Sequence, residues 1–297
     1  MSAFSSAGNG RVTVPEIRSR KSPVPTGGFP TQEKITCLTA YDYPTAFLLD
    51  AAGIDILLVG DSLGMVVLGY ETTLPVTLED VLYHTRAVTR ATRRALVMAD
   101  MPYGSYHVSV EEGVRNALRL VKEGGAAGVK LEGGERRLEL MVRLAEAEIA
   151  VMGHIGLTPQ SVHRLGGFKV QGRSAEDAAT LLREARAIEA AGAFALVLES
   201  IPREVAAEIT RELRIPTIGI GAGPECDGQV LVFHDMAGLG TGRAPKFARR
   251  YADLGGAITE AARRFAEDVR AGAFPSDAES FHLPAEPRDL ARGRTRS

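Results

Sequence analysis

"LVMADMPYG", residues 96–104, runs four apolar residues together and then places a carboxylate, Asp100. An unbroken apolar run suits a strand buried on both faces, and an acid at its end does nothing for that burial. The arrangement recurs. "ILLVGDSLG" (56–64) leads to Asp61, "GVKLEGG" (128–134) to Glu132 and "FALVLESIP" (194–202) to Glu199. With "ITCLTA" (35–40), "AVMGH" (150–154), "PTIGI" (216–220) and "VLVFHD" (230–235), the chain offers eight candidate strands. Longer amphipathic stretches separate them. Residues 77–94 open with Thr77 and Asp80 in capping-box spacing, and 174–192 run from Ser174, an N-cap type, to Gly192. Strands buried on both faces and joined by crossover helices make a parallel sheet. Eight of them in about 240 residues predict an α/β fold, a single-domain (β/α)8 TIM-type barrel, with an open doubly wound sheet as the alternative.

The barrel is expected over 35–274. Residues 1–34, with the Ser-, Gly- and Pro-rich "KSPVPTGGFPTQE", read as a partly flexible or loosely docked N-terminal segment, and 275–297 as a C-terminal tail after a last helix at 252–272. "EPRDLARGRTRS" holds four arginines, which near a terminus read as a solvated run. Across 297 residues, 35 basic and 37 acidic side chains give a formal charge of -2, so nothing favours nucleic acid or an anionic membrane as partner. A small molecule is expected instead. Cys37 and Cys226 have no metal-type spacing and read as reduced thiols. No run approaches the roughly 18 apolar residues of a membrane span, and the first residues lack a signal-peptide core, so a cytoplasmic location is expected.

Barrel strands all point one way, so the residues ending them converge on one mouth. A single strand-terminal acid is commonly a helix cap or turn former. Asp61, Asp100, Glu132 and Glu199 in the same frame are a different matter, because gathered carboxylates need a cation or retained protons. Oxygen donors without cysteine or paired histidine favour Mg²⁺ over zinc. Lys130, two residues before Glu132 and on its face, reads as a contact to a substrate or a carboxylate. His154 reads equally as a satisfied core histidine or as a catalytic group. "GIGAGPECDGQ" (219–229) could cradle phosphate, although tight turns are the favoured reading. The Gly-punctuated stretch 153–173 is a candidate lid.

Longer strings carry a specific resemblance. "TAYDYPTA" (39–46), "VGDSLGMVVLGYETTLPVTLEDVLYHTRAV" (59–88), "DMPYGSY" (100–106), "VKLEGG" (129–134), "MGHIGLTPQSVHRLGGFKVQGR" (152–173), "VLESIP" (197–202) and "PTIGIGAGPECDGQVLVFHD" (216–235) resemble, in order, the signatures of the 3-methyl-2-oxobutanoate (ketopantoate) hydroxymethyltransferase family. Tyr103, where Phe is common, is the one departure inside a motif. "TVPEIRSRK" (13–21) resembles the family's opening segment, with 22–33 as an insertion.

The resemblance implies a (β/α)8 barrel, Mg²⁺, and transfer of a hydroxymethyl group from 5,10-methylenetetrahydrofolate to 3-methyl-2-oxobutanoate through a Mg-stabilised enolate. The product is 2-dehydropantoate, in pantothenate biosynthesis. It also implies Asp61 and Asp100 as metal ligands with Glu132 as the third, reaching the ion through water. Ser62, Asp100, Lys130 and the metal-bound Asp61 meet the oxo acid, and Glu199 is the base; His154, read from its strand position alone, is a candidate supporting residue. A homo-oligomer, a decamer in the family, is implied too. Two rivals share the barrel. A Mg²⁺-dependent carbon–carbon lyase of the isocitrate lyase superfamily is expected to carry a KxCGH-type loop, which is absent from this sequence. A barrel that only binds metabolites has no use for the full acid set.

Overall fold

The computed structural model describes residues 10–21, 33–240, 242 and 245–283. Eight parallel strands close on themselves in sequence order: β1 (Ile35–Thr39), β2 (Ile56–Val59), β3 (Leu96–Asp100), β4 (Gly128–Glu132), β5 (Ala150–Gly156), β6 (Ala195–Glu199), β7 (Thr217–Ile220) and β8 (Gly228–Leu231), which pairs with β1. The expected barrel is present. Its helices include α1 (Val14–Ser19) ahead of β1, α2 (Tyr43–Ala51), the short α3 (Leu63–Val66) and α4 (Leu78–Ala91). After these come α5 (Val110–Lys122), α6 (Leu138–Glu146), α7 (Val162–Leu165), α8 (Ala175–Ala190) and α9 (Arg203–Glu212). The short α10 (Phe233–Ala237) and the long α11 (Leu254–Arg270) complete the set. The capping box at Thr77 and Asp80 starts α4, and the Ser174 side chain caps α8 by accepting from Asp177 N–H.

Period-two alternation sorts the strand residues into two cores. Leu57, Val59, Val97, Ala99, Val129 and Leu131 face the helices. Cys37, Ile56, Leu58, Met98, Met152, Val197, Ile218 and Val230 fill the barrel interior. Counting on by two from the interior residues gives Asp100 after Met98, His154 after Met152 and Glu199 after Val197. Strand pairing sets Asp100 beside Lys130 and Glu132 beside His154. Apolar layers therefore fill the lower barrel, and the charged residues crown it.

Part of the N-terminal segment is built into this core. Thr13 caps α1, and Val12 and Ile17, 2% and 0% exposed, join the interior cluster. Val12 N–H donates to Arg94 C=O at 2.7 Å, while Lys21 pairs with Asp227 at 2.9 Å and Arg20 with Asp55 at 2.9 Å. These residues close the end of the barrel where the strands begin. The remainder of 1–34 before Glu33 (residues 1–9 and 22–32) and the arginine-containing tail lie outside the described residues.

The eighth strand differs from the expected 230–235. It begins at Gly228, because β1 packs so close that a Cβ there would lie 2.6 Å from Ile35 O. It ends at Leu231, where Phe233 N–H turns to Thr39 Oγ1 at 2.9 Å and α10 begins. The stretch before β8 makes tight turns, with Gly221 and Gly223 at φ 61° and 84°. The last expected helix forms as α11, yet none of its residues is buried, and Ile258, Phe265 and Val269 are exposed. Cys37 and Cys226 are buried free thiols. Among the described residues no helix is long and apolar enough to cross a membrane.

Candidate active site

At the mouth the interior face of β3, β4, β5 and β6 delivers charge instead of apolar bulk. Lys130 Nζ lies 2.9 Å from Asp100 Oδ1 and 3.2 Å from His154 Nδ1. His154 Nδ1 is 3.6 Å from Glu132 Oε1, and its Nε2 faces Glu199 Oε2 at 3.2 Å. Asp100, Lys130, Glu132 and His154 are buried, whereas the Glu199 side chain keeps 14% of its surface open. Asp61 comes from the turn after β2 and not from a strand face. Its backbone N–H donates to Asp100 Oδ2 at 3.0 Å. A Cβ at Gly60 would stand 2.7 Å from Ser62 Oγ, so glycine there leaves that hydroxyl in place. Ser62 Oγ in turn lies 2.8 Å from Tyr41 OH. The expected residues are thus linked in one network, with Ser62 joined to it through the Asp61 turn.

The electrostatics of the two barrel ends are opposite. At the closed end, burial would raise Asp55, but hydrogen bonds from Thr36 and the charges of Arg20 and Arg94 outweigh it and hold the carboxyl below its usual range. At the mouth, burial and then the charges of Asp100 and Glu132 push Asp61 well above that range. Burial raises Asp100 as well, although Lys130 and the Asp61 N–H pull it down. Glu132 lies below the usual range, because His154, Lys130 and the Gln160 N–H outweigh its burial. His154 is raised to about 9: burial and Lys130 lower it, and the carboxylates of Glu132 and Glu199 win. Strained acids gathered in one cleft mark a functional site, and a paired acid at the far end marks stability.

The donor set accords with a hard divalent cation. One lysine and one histidine face Asp61, Asp100, Glu132 and Glu199. Asp100 Oδ1 is buried and, apart from the Lys130 ammonium beside it, accepts no well-directed hydrogen bond. Among the described residues no three His, Cys, Asp or Glu side chains are gathered tightly enough to hold an ion by themselves. Mg²⁺ does not require that, since it commonly takes one or two carboxylates and fills its other positions with water and substrate oxygens. Asp61 and Asp100 suit that role, with Glu132 alongside.

Three residues of the site carried no assignment in the sequence. Gln160 Nε2 donates to Asp61 Oδ2 at 2.8 Å and to Met101 O at 3.0 Å, and its backbone N–H donates to Glu132 Oε2 at 3.0 Å. Tyr106 OH donates to Gln160 Oε1 at 2.6 Å, and Tyr41 supports Ser62. All three sit in the quoted strings, but their partners lie in segments distant along the chain and spacing cannot show them. The loop after β5 that carries Gln160 also docks beside Glu199, where Gln171 N–H donates to Ser200 O at 2.9 Å. A cavity of about 500 Å³ opens elsewhere, lined by Arg18, Arg186, Glu189, Glu212 and Arg214, and no acid of the mouth borders it.

Comparison with known proteins agrees with this architecture. Solved structures with the same fold include a phosphonopyruvate hydrolase complexed with oxalate and Mg²⁺ (TM-score 0.55, 14% identity, 84% of this chain and 88% of that one). Another is 2,3-dimethylmalate lyase, a member of the PEP mutase/isocitrate lyase superfamily (TM-score 0.54, 18% identity, 90% and 91%). At those identities the likeness concerns the fold. Closer relatives are named 3-methyl-2-oxobutanoate hydroxymethyltransferase. The protein of Koribacter versatilis is 62% identical over 254 residues, 86% of each chain, and that of Pelobacter propionicus 53% over 272 residues, 92% of this chain and 98% of its own. The family profile described as ketopantoate hydroxymethyltransferase matches residues 15–277. The chain belongs to the ketopantoate hydroxymethyltransferase family and is a hydroxymethyltransferase.

Proposed function

We propose that this enzyme transfers a hydroxymethyl group from 5,10-methylenetetrahydrofolate to 3-methyl-2-oxobutanoate, with Mg²⁺, giving 2-dehydropantoate on the way to pantothenate. The observation that carries this reading is the Glu199 carboxylate, partly open to the mouth and 3.2 Å from His154, on the rim of a pocket that holds Lys130 among buried acids. Asp61 and Asp100 would hold the cation, with Glu132 in support. A divalent ion held there would supply a Lewis acid to the 2-oxo group, under which the hydrogen on C3 would become acidic.

The chain's own residues do the rest. The Lys130 ammonium and the Ser62 hydroxyl bind and orient the oxo acid. Glu199 takes the C3 proton, and His154 beside it steadies the carboxylate. The electron pair left on C3 forms the new carbon–carbon bond to the methylene, both carbon–nitrogen bonds that hold the methylene to the folate break, water supplies the hydroxyl group, and the two folate nitrogens take up the proton from C3 and the second proton of the water. No residue is assigned to the folate. We also propose that the enzyme works as a homo-oligomer, as the family decamer suggests, because α11 buries none of its residues and leaves Ile258, Phe265 and Val269 exposed.

Exchange of the C3 proton with deuterated water, followed without folate, tests the assignment of the base. Glu199→Gln is expected to bind Mg²⁺ and oxo acid as the wild type does and to lose exchange. Exchange at the wild-type rate would remove Glu199 from the role.

A further inference from the structure

Gln160 joins two of the acids from a third direction. Its loop follows β5, yet its side chain reaches Asp61 after β2 while its backbone N–H holds Glu132 at the end of β4. The amide can take only one orientation. Met101 C=O can only accept, so the NH₂ group must face it, and the second hydrogen of that group then points to Asp61 Oδ2. The carbonyl oxygen is left facing Tyr106, whose hydroxyl donates to it at 2.6 Å and itself accepts from Glu132 N–H at 3.2 Å. Tyr106, Gln160 and Asp61 therefore form a one-way chain of donors ending on Asp61 Oδ2. Among the described residues no donor is hydrogen-bonded to Asp61 Oδ1.

We infer that Gln160 is a positioning residue, which pins Asp61 Oδ2 so that Oδ1 is the oxygen offered to the cation, with Tyr106 locking the amide that does so. The inference rests on the proposed role of Asp61 as a metal ligand. Groups that orient metal ligands commonly change metal affinity by roughly 10- to 100-fold when removed. Here the pinned carboxylate would swing, and a buried carbonyl and carboxylate would lose their donor.

The test is calorimetric titration of Mg²⁺ into the metal-stripped full-length chain, with and without 3-methyl-2-oxobutanoate. Gln160→Met, close in length and without polar hydrogens, is expected to raise the Mg²⁺ dissociation constant about tenfold or more. Tyr106→Phe is expected to raise it by a smaller factor, and the double variant to be no weaker than Gln160→Met alone, since both act through one amide. Excess Mg²⁺ should restore C3 exchange in Gln160→Met, which damage to the fold would not permit. Unchanged Mg²⁺ affinity in a folded Gln160→Met, or effects of the two substitutions that add, overturns the inference. Should Gln160→Met fail to fold, Tyr106→Phe decides alone, and wild-type affinity in it overturns the inference. Asp61→Ala separates the underlying reading: Mg²⁺ affinity unchanged in that variant removes Asp61 as a ligand, and both proposals fall together.

Discussion

Lys130→Met removes the ammonium that sits 2.9 Å from Asp100 Oδ1 and leaves a buried carboxyl without its cation. The side chain it introduces is apolar and of similar length, so packing changes little and the cost is electrostatic. That cost has a ceiling, because Asp100 can take up a proton. Moving a carboxyl with an ordinary pKa near 3.9 to the neutral form costs about 4 kcal/mol at pH 7 and about 1.5 kcal/mol at pH 5. In the variant the folded-state pKa of Asp100, already raised by burial, rises further because the lowering charge of Lys130 is gone. The folded state then binds more protons than the unfolded state, and stability falls as the pH rises from about 4 toward 7. Urea unfolding with chelator, at fixed protein concentration, is the assay. The deficit of Lys130→Met relative to wild type should shrink by up to roughly 2.5 kcal/mol between pH 7 and pH 5. A deficit of the same size at both values, or none at pH 7, would refute the idea that Lys130 compensates the charge of Asp100.

Other outcomes follow from the same network. Asp61→Ala should weaken Mg²⁺ binding by at least about tenfold in calorimetry. It should also lower Asp100, which loses a repelling neighbour and keeps Lys130 beside it. His154 is raised to about 9 from an ordinary 6.5, so the stability it contributes is complete below about pH 6.5 and is lost as the pH rises through 9. His154→Gln should flatten that alkaline loss in thermal unfolding, and an unaltered slope would show that the imidazole is not protonated between its two glutamates.

The barrel was legible because strands such as β2 and β3 carry unbroken apolar runs, and helices between strands start at side-chain caps such as Thr77 and Ser174. The acids were legible for a related reason. A period of two places Asp100, Lys130, Glu132, His154 and Glu199 on one face, and a charge on a face otherwise filled by Met98, Met152 and Val197 stands out. What escaped lacks a local signature. β8 starts on Gly228, chosen for the closeness of Ile35 and invisible to hydrophobicity, and the following Phe233 looks like strand until Thr39 captures its N–H. The short helix α1 enters the core through Ile17, with Val12 just ahead of it, too little apolar surface to show as a periodic pattern. Gln160, Tyr106 and Tyr41 act across strands, so their partners are set by the closed barrel and by no spacing along the chain.

The central claim is that acids gathered at the mouth hold a cation which makes an oxo acid yield its C3 hydrogen. Proton NMR of 3-methyl-2-oxobutanoate in deuterated water, with the wild-type enzyme and no folate, tests it most directly. Loss of the C3 signal that requires Mg²⁺ and stops on chelation is the predicted result. Exchange just as fast in chelator, or no exchange with Mg²⁺ present, would contradict the account.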